Sequence, residues 1–560
     1  MKKISIYFLA MGVLLLAGCK KSELQQINPN QPTPTTSLTS EAGLESYGAG
    51  ILGRTIFPVP GEGNANILTI SMINHSIMGD ETFLPYGNFA FRWINQVYKI
   101  TLPNGTVVTN PFGVTQQASL QGFNSRAAGE TNAFVYEWTI SYFFISQANQ
   151  MLQALNGNVS YNGDGPTKKA TLQAWAYWWK GYAYSRLGSM YLSGVVNNDP
   201  SGATNGTFVD HNGLIAEANK NFDSCTTLLG TLPAAGNAAY NGVMTALVLS
   251  FNDNAHVVTP AMWIHHNNSY KARNLLVNKK TSAMAAADWQ NIITLCTNGL
   301  TSTDNYFKFG MTEDGNNDLS NSFLQPLAML GPNVQWTFVS ERLVQDFKAG
   351  DNRFTKGILR LPDPDPADPN NQDVYYGLNS FTNIRSRGLQ LGTRWAAVPI
   401  EDGGLYATGA NQGFVPFGCS YEENALMLAE AYINSGQIET GLGYIDNVRT
   451  FQSSGLPAVK GTGLGLAAAK EELRKERRIG LFQKGVSFYD ARRWGVTAPA
   501  ASGGGRANAI VYIPGSLLGA GAPSQALPCF MDYTYMDYWD VPQNELDFNA
   551  PASGSAPVKN

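Results

Sequence analysis

The stretch EWTISYFFISQANQMLQAL, residues 137–155, is followed after a Gly-Asp-Gly turn by ATLQAWAYWWKGYAYSRLGSMYL, residues 170–192. Apolar side chains recur in both segments every three or four residues. This spacing predicts an α-helix with one buried face. Two such helices joined by a short glycine-containing turn predict a helical hairpin.

The same apolar spacing recurs along the rest of the chain. It predicts further helices at residues 214–229, 270–278, 289–300, 341–348, 421–434, 438–450 and 466–482. Residues 428–432, Leu-Ala-Glu-Ala-Tyr, place small side chains beside aromatic ones, as tetratricopeptide-like hairpins do where two helices pack closely. The repeat has no strict period, so independently packed helices remain the alternative. The pattern predicts a mainly α fold.

Long stretches between these helices lack a helical period. They are residues 57–129, 199–211, 231–268, 301–337 and 353–418. Ordered segments of this length inside a compact protein usually carry function. We therefore expect ligand-binding side chains on these segments, held in place by the helices.

The N-terminus has the order of parts of a secretory signal peptide. Lys2 and Lys3 precede an apolar run, which ends at Leu16-Ala17-Gly18-Cys19. The run is too short for a transmembrane helix, which needs about 20 residues. Small residues before a cysteine resemble a bacterial lipobox, so we predict that residues 1–18 are removed and that Cys19 carries the lipid. An ordinary signal with a chance cysteine is the alternative.

The polar composition after Cys19 predicts a flexible tether over residues 19–45. No second low-complexity linker follows, so residues 46–560 are predicted to form one domain.

The formal charge is −4, and removal of residues 1–18 takes away two lysines, which gives −6. This charge gives no reason to expect a nucleic-acid partner. Disulfides are permitted, but no C-x-x-C spacing demands them among Cys225, Cys296, Cys419 and Cys529.

The usual catalytic motifs do not occur: the chain has no H-E-x-x-H, no G-x-S-x-G and no Walker loop. Two acid-rich stretches, around Asp314-Gly315-Asn316-Asn317-Asp318 and from Asp363 to Asp373, are interpreted as solvated loop acids, with a structural calcium as the alternative. We expect no cofactor and no catalysis. A secreted glycan-degrading enzyme is the rival hypothesis. The histidines are interpreted as surface or loop residues: His75, His211, His256, His265 and His266.

A segment dense in ions and aromatic residues lies near the C-terminus. It reads KEELRKERRIGLF at residues 470–482 and continues through Gly485 to FYD at 488–490 and RRWG at 492–495. We call residues 470–495 the arginine segment. Its arginines are expected to pair with Asp490 and Glu476 and to stack on Trp494.

The arginine segment resembles a signature of the SusD/RagB family of outer-membrane nutrient-binding lipoproteins. The lipobox, Asn28-Pro29-Asn30 followed by Thr33, and VPQNELDFN at residues 541–549 also occur in the family's order. The chain departs from the family pattern at Gly480 and Lys484, where an acid is usual, and at residues 486–487, which usually have basic character.

The resemblance implies a mainly α fold, in which four tetratricopeptide-like hairpins support a loop-rich ligand-binding face. It also implies a lipid-anchored, surface-exposed protein in a Bacteroidota-type outer membrane. Such a protein captures glycan without catalysis and delivers it to a SusC-like, TonB-dependent transporter. Peptide is the alternative ligand, and a purely scaffolding role is the remaining alternative. The arginine segment then has a structural role.

Glycan binding requires a flat aromatic surface edged by hydrogen-bonding groups. In the N-terminal helix-poor stretch, Trp93 is the strongest candidate, with Arg92, Asn95 and Tyr86 nearby in sequence. Packing in the core is the alternative for each aromatic residue. The later helix-poor stretches contribute Trp336, Trp395 and Tyr406.

Overall fold

The computed structural model of the chain describes residues 38–53, 67–84, 88–94, 97–201, 203, 205–248, 256–312, 337–361, 388–389, 391–399, 402–409, 412–416 and 418–560. The predicted signal peptide, the lipidation site Cys19 and most of the predicted tether lie outside these ranges. The two acid-rich stretches that begin at Asp314 and Asp363 also lie outside them.

Helices make up most of the regular structure, which confirms the mainly α fold. The N-terminal half contains α1 (Glu41–Gly53), α2 (Ile67–Met78), α3 (Phe91–Ile94), α4 (Gln116–Gly122), α5 (Val135–Leu155), α6 (Gly165–Met190), α7 (His211–Leu229), α8 (Ala238–Leu247) and α9 (Pro260–Val277). The rest contains α10 (Ala286–Thr297), α11 (Glu341–Val344), α12 (Asn352–Gly357), α13 (Tyr421–Asn434), α14 (Ile438–Phe451), α15 (Leu466–Gly480), α16 (Ser487–Arg493) and α17 (Gln543–Leu546).

The strands are short and lie in small antiparallel sheets. They are β1 (Thr82–Phe83), β2 (Lys99–Thr101), β3 (Val107–Thr109), β4 (Ser193–Val195), β5 (Phe208–Asp210), β6 (Lys308–Thr312), β7 (Phe338–Val339), β8 (Ile358–Arg360), β9 (Trp395–Ala397), β10 (Ala407–Gly409), β11 (Gln412–Pro416), β12 (Arg506–Ile513) and β13 (Gln525–Asp532). The strand orders are β1-β7-β9-β8, β10-β11-β6, β12-β13-β2-β3 and β4-β5.

Consecutive helices pack as pairs, and small residues allow the close approach. The pairs α5 with α6, α9 with α10, and α13 with α14 are each in contact. Gly441 of α14 lies so close to α13 that a Cβ atom there would be 2.6 Å from the carbonyl oxygen of Ala429. The α13–α14 turn contains Gly436 at φ +81°, a left-handed conformation that glycine adopts without strain. These helical hairpins agree with the predicted pattern of small and aromatic residues.

An aromatic cluster forms the core between α6 and α9. Trp175, Trp178 and Trp179 of α6 are fully buried and contact one another, and Trp175 also meets Trp263 of α9 edge-on. Asp164 caps the N-terminus of α6, since its side chain accepts a hydrogen bond from the Thr167 amide. No residue of α6 from Thr171 to Met190 is exposed, so neighbouring elements cover this helix on every side.

Several helix boundaries differ from the prediction. Helix α2, within the supposed helix-poor stretch 57–129, is buried on every side from Leu68 to Met78. A helix without an exposed face has no amphipathic period, so its sequence gives no helical signal. Helix α8 lies in another supposed helix-poor stretch, 231–268. Helix α1 begins at Glu41 and buries Leu44 completely, so residues 41–45 belong to the folded part and not to the tether.

The two ends of the described chain are joined. Strand β2 pairs with β13, so that Ile100 lies opposite Met531. One cluster of buried apolar side chains extends from Leu38 to Val541. These contacts tie N-terminal and C-terminal segments to the same core. None of the described helices is both long enough and apolar enough to span a membrane.

The arginine segment pairs its own arginines with Asp490 as expected, whereas Glu476 pairs with arginines from outside the segment. Arg477 and Arg493 both donate to Asp490, and Glu476 accepts from Arg353 and Arg449. The guanidinium carbon of Arg493 also lies 4.8 Å from the ring centroid of Trp494. Arg477 and Arg493 are nearly inaccessible to solvent. The segment therefore has the structural role that the sequence predicted.

The interpretation of the histidines as surface or loop residues is wrong for two of them. His75 is buried in α2, and its Nε2 lies 2.7 Å from Glu137 Oε2. His266 is fully buried in α9 and stacks on Trp178. Both lie on helices whose burial the sequence pattern did not reveal. The cysteines form no disulfide among the described residues, and Cys225, Cys296, Cys419 and Cys529 are all buried thiols.

Candidate functional site

A cavity of about 540 Å³ opens between the C-terminal helices and the β10-β11-β6 sheet. The hairpin of β10 and β11, the edge strand β6, the short helix α12 and the ends of α13, α14 and α15 surround it. We call it the aromatic cavity. Its aromatic lining is formed by Tyr306, Tyr406, Phe414 and Phe451. Its polar lining is formed by Lys308, Asn352, Arg353, Lys356, Thr408, Glu422, Gln452 and Ser453.

Strand pairing places two sides of the cavity. Lys308 on β6 lies opposite Pro416 on β11, which carries Phe414 two residues earlier. The Lys308 Nζ atom lies 5.1 Å from the ring centroid of Tyr306 and 5.5 Å from that of Phe414. The ammonium group and these two rings therefore form one continuous surface.

Tyr406 is held tightly in the cavity wall. It adopts a left-handed backbone conformation, φ 69°, and its hydroxyl donates a 2.6 Å hydrogen bond to the carbonyl of Phe482. Lys484 Nζ lies 5.2 Å from the centroid of the ring. Burial raises the pKa of Tyr406 well above its usual value, so the phenol remains a neutral donor.

Polar groups at the base of the cavity form a fixed chain. Arg353 donates to Gln452 Oε1 at 2.9 Å, and Gln452 Nε2 donates to Glu422 Oε1 at 3.2 Å. Lys484 donates to the same Glu422 oxygen at 2.7 Å. Burial opposes ionisation of Glu422, but Lys484 outweighs this effect and holds the pKa of the carboxyl below its usual value. The base of the cavity is preorganised, with Glu422 ionised.

Phe451 is the most accessible aromatic side chain of the cavity. It is the last residue of α14 and is 43% exposed. Its ring meets Tyr421 edge-on at 4.9 Å between centroids. A large apolar side chain exposed beside a cavity is a natural contact for an amphipathic ligand.

The structure brings one of the predicted site residues into the cavity. Tyr406 lines it, as described above. Trp395 lies elsewhere: its Nε1 donates to Glu341 at 3.0 Å, and its ring packs edge-on against Phe354. Tyr86, Asn95 and Trp336 lie outside the described residues.

Trp93, the strongest candidate from the sequence, is packed among its neighbours. Its ring centroid lies 4.8 Å from that of Phe123 and 5.1 Å from that of Phe112. The guanidinium carbon of Arg92 lies 4.3 Å from the same centroid. Trp93 does not line the aromatic cavity, and a ligand-binding role for Trp93 and Arg92 stays a prediction.

Most residues of the aromatic cavity were not predicted from the sequence. Tyr306 and Phe414 lie in stretches that were predicted to carry function, but no local motif distinguishes them from other aromatic residues. Phe451 follows the predicted end of its helix at residue 450. An aromatic residue at a helix end, before the turn Gln452-Ser453-Ser454-Gly455, was the available signal.

Residues 79–82, which precede the candidate Tyr86 in sequence, have a structural role. Asp80 accepts hydrogen bonds from Arg342, Arg506 and Ser340 and is buried. Arg478 donates to the backbone carbonyls of Gly79 and Asp80. These contacts join residues 79–80 to the arginine segment. In the described ranges, no group of three or more His, Cys, Asp and Glu side chains could hold a metal ion.

The fold is shared with solved structures of SusD-like proteins. A SusD-like carbohydrate-binding protein from Bacteroides vulgatus has a TM-score of 0.54 at 12% identity, over 92% of this chain and 98% of its own. Surface glycan-binding protein A from Bacteroides uniformis has a TM-score of 0.54 at 13% identity, over 92% and 99%. A structure with xylogluco-oligosaccharide has a TM-score of 0.55 at 13% identity, over 92% and 99%.

The chain therefore has the SusD-like fold, which confirms the fold that the sequence resemblance implied. No protein-family model matches the chain, and no curated protein matches it in sequence.

Proposed function

We propose that this protein is a surface glycan receptor that binds oligosaccharide chains in the aromatic cavity and passes them to a membrane transporter. The observation that carries the proposal is the convergence of four aromatic side chains with amide, hydroxyl and charged groups in one cavity of a SusD-like fold. A sugar ring has apolar C–H faces edged by hydroxyl groups, so its recognition requires both kinds of group.

The geometry supports binding without bond cleavage. A glycosidase needs a protonated carboxylic acid beside the glycosidic oxygen. Glu422, the carboxylate that the described residues contribute to the cavity, is instead held ionised by Lys484. It serves as a hydrogen-bond acceptor for hydroxyl groups and not as a proton donor.

The structural neighbours support a sugar as the ligand. The Bacteroides vulgatus neighbour is described as a carbohydrate-binding protein, and the Bacteroides uniformis neighbour as a surface glycan-binding protein. A further neighbour was solved with xylogluco-oligosaccharide. For this chain we propose the same ligand class, with peptide as the alternative.

The delivery step rests on the resemblance stated above. We propose that Cys19 carries a lipid that anchors the protein to the outer surface of the outer membrane, and that a SusC-like TonB-dependent transporter takes up the bound glycan. The mass of the intact, detergent-extracted protein tests the anchor, because an unmodified Cys19 thiol contradicts it. Co-purification from the native membrane tests the transporter partner.

The binding step is tested by isothermal titration calorimetry against a panel of oligosaccharides and peptides. We expect micromolar to millimolar binding of at least one glycan and no hydrolysis products after prolonged incubation. Phe451→Ala should weaken that binding. Phe548→Ala is the matched control, because Phe548 is 75% exposed but does not line the cavity.

Three results would contradict the proposal. If the protein binds only peptides, its ligand class is peptide and not glycan. If it binds no small molecule, a scaffolding role is favoured. Turnover of a glycan by the purified protein would establish an enzyme.

A further inference from the structure

A second concave site lies on the helical scaffold, away from the aromatic cavity. It is a cleft of about 410 Å³ between α5, α6, α7 and the segment 198–200, and it shares no lining residue with the aromatic cavity. Amide side chains dominate its lining, so we call it the amide cleft. The amides are Asn149, Gln153, Asn156, Asn198 and Asn221.

Lys180 in this cleft is a buried cation with unusual surroundings. It is 4% exposed, and its Nζ donates to the amide oxygen of Asn198. No described carboxylate lies within ion-pair distance of it, although every buried arginine of the arginine segment except Arg492 has one. A buried charge is normally paired, because desolvation without a partner costs several kcal/mol.

The charged neighbours of Lys180 do not neutralise it directly. From α7, Glu217 and Lys220 also line the cleft. Glu217 is engaged by its own helix, since its carboxylate accepts from Asn221 at 3.0 Å and from Lys220 at 3.3 Å. Helix α5 and the 198–200 segment face Lys180 with uncharged cleft residues, which are Asn149, Leu152, Gln153, Asn156, Asn198 and Pro200.

The partner of Lys180 is fixed in position. Tyr184 and Asn197 are joined twice, because the Asn197 amide donates to the Tyr184 hydroxyl at 2.9 Å and this hydroxyl donates to the Asn197 carbonyl at 3.0 Å. Asn149 also donates to the Asn197 carbonyl, at 3.0 Å. These bonds hold the neighbouring Asn198, so the ammonium group is preorganised before any ligand binds.

An aromatic ring lies beside the buried ammonium group. Tyr177 is three residues before Lys180 on α6, so the two side chains share one face of the helix. Tyr177 is half-buried and lines the cleft. The cleft therefore combines a cation, a ring and uncharged groups that both donate and accept hydrogen bonds.

We propose that the amide cleft is a second ligand site, which binds a saccharide that carries a carboxylate, with the carboxylate on Lys180 and the sugar ring against Tyr177. A uronic acid unit has this combination of groups. The carboxylate supplies the ion partner that Lys180 lacks, and the hydroxyl groups meet the amides. This site is independent of the function proposed for the aromatic cavity.

The experiment compares an acidic trisaccharide with its neutral form. The probes are a galacturonate trisaccharide and its methyl ester, measured by calorimetry against the full-length mature protein. We expect the acid to bind and the ester to bind about tenfold more weakly or not at all. Equal binding of the two probes, or no binding of the acid at millimolar concentration, would overturn the proposal.

Lys180→Met tests the cation directly, with Lys169→Met on the same helix as the matched control. Since Lys180 has no carboxylate partner, its replacement by methionine of similar volume should leave the melting temperature unchanged or raise it. Binding of the acid should fall at least about tenfold in Lys180→Met and stay unchanged in Lys169→Met. Unchanged binding in Lys180→Met would overturn the proposal. Loss in Phe451→Ala instead would place the ligand in the aromatic cavity and also overturn it.

The pH dependence is a second measurement. Burial lowers the pKa of Lys180 to about 8, Glu217 opposes this shift and Lys220 adds to it. The protonated form binds the carboxylate, so affinity for the acid should fall as the pH rises from 7 to 9. Lys180→Met should lack this dependence, and an identical pH profile in both proteins contradicts the role of Lys180.

Discussion

Arg493 of the arginine segment and Lys180 of the amide cleft are both buried cations, but they have different partners. Arg493 donates to Asp490 at 2.8 Å and to Glu430 at 2.6 Å, and it is 2% exposed. Lys180 is equally buried but donates to an amide. The arginine has all the countercharge it needs within the fold, whereas the lysine does not.

The difference separates structural ions from candidate functional ions. A buried ion with a full set of partners fixes neighbouring elements, and its removal leaves uncompensated charge behind. A buried ion that lacks both a carboxylate partner and a full set of backbone acceptors, unlike Arg492 with its three carbonyls, contributes little to stability and remains available to a ligand. The two classes should therefore respond differently to substitution.

The largest effect is expected at Arg493. Arg493→Ala leaves the buried carboxylates of Asp490 and Glu430 with fewer partners, which should cost about 3 to 5 kcal/mol of unfolding free energy. Urea denaturation measures this loss. Glycan affinity should stay within about twofold at a temperature where the variant is folded, a difference of less than 1 kcal/mol.

Arg493→Lys is the control, because it keeps the charge but loses the fork of donors. Its destabilisation should lie between that of the alanine variant and zero. An unchanged unfolding midpoint together with abolished binding would reverse the assignment of the arginine segment.

The second largest effect on stability is expected at Glu81, a buried carboxyl group. Burial raises its pKa from 4.5 to about 7, and Arg478 only partly offsets this shift. Protonated Glu81 contributes its full stability below pH 4.5, the pKa of this carboxyl in the unfolded chain. That contribution is lost as the pH rises through about 7, the pKa of Glu81 in the folded protein. Glu81→Gln cannot ionise, so it should be more stable than the parent at pH 8 by on the order of 3 kcal/mol.

Urea denaturation at pH 4 and pH 8 tests the direction of this change in the free energy of unfolding. At pH 4 the parent and Glu81→Gln should have nearly equal stability, because Glu81 is then neutral in the folded protein. A variant that is less stable than the parent at pH 8 would mean that Glu81 is ionised and well paired.

The sequence predicted the fold better than the site, for a physical reason. Helices with one exposed face, such as Ile438–Phe451, carry a periodic pattern, and the predicted bounds of that helix, 438–450, differ from the structure by one residue. Helix α2 has no exposed face, and so its pattern disappears. The pairing of the arginine segment with Asp490 was also predictable, because a buried arginine cluster requires countercharge, whereas the partners of Glu476 come from outside the segment and were not predicted.

The aromatic cavity was less predictable because its walls come from distant parts of the chain. Tyr306 and Phe451 line the same cavity, although one lies just before β6 and the other at the end of α14. Loop location selected Tyr406, which lines the aromatic cavity, but the same criterion selected Trp395, which does not line it and whose indole donates to Glu341. Both side chains are half-buried and hydrogen-bonded, so only their position relative to the cavity distinguishes them, and that position is not visible in sequence.

Substitutions of Phe451 and Trp93 test whether an exposed or a packed aromatic side chain binds the glycan. Phe451→Ala should weaken glycan binding by about 1 to 3 kcal/mol, the range for loss of one aromatic stacking surface. Its effect on stability should be small because the ring is 43% exposed at a helix end. Calorimetry of Phe451→Ala and Trp93→Ala, side by side, identifies the binding surface. If Trp93→Ala alone abolishes binding, the glycan lies against the N-terminal segment and not in the aromatic cavity.

The smallest effect is expected at Arg474, in the same segment as Arg493. Its side chain is 25% exposed and donates to Asp346 at 2.7 Å, but Asp346 also accepts from Arg478 at 2.7 Å. Arg474→Ala therefore leaves no carboxylate without a cation and should cost less than about 1 kcal/mol. Because part of this interaction is exposed, the cost should shrink further in high salt. A loss as large as that of Arg493→Ala, measured by urea denaturation in the same buffer, would show that burial and pairing do not decide the contribution of these ions.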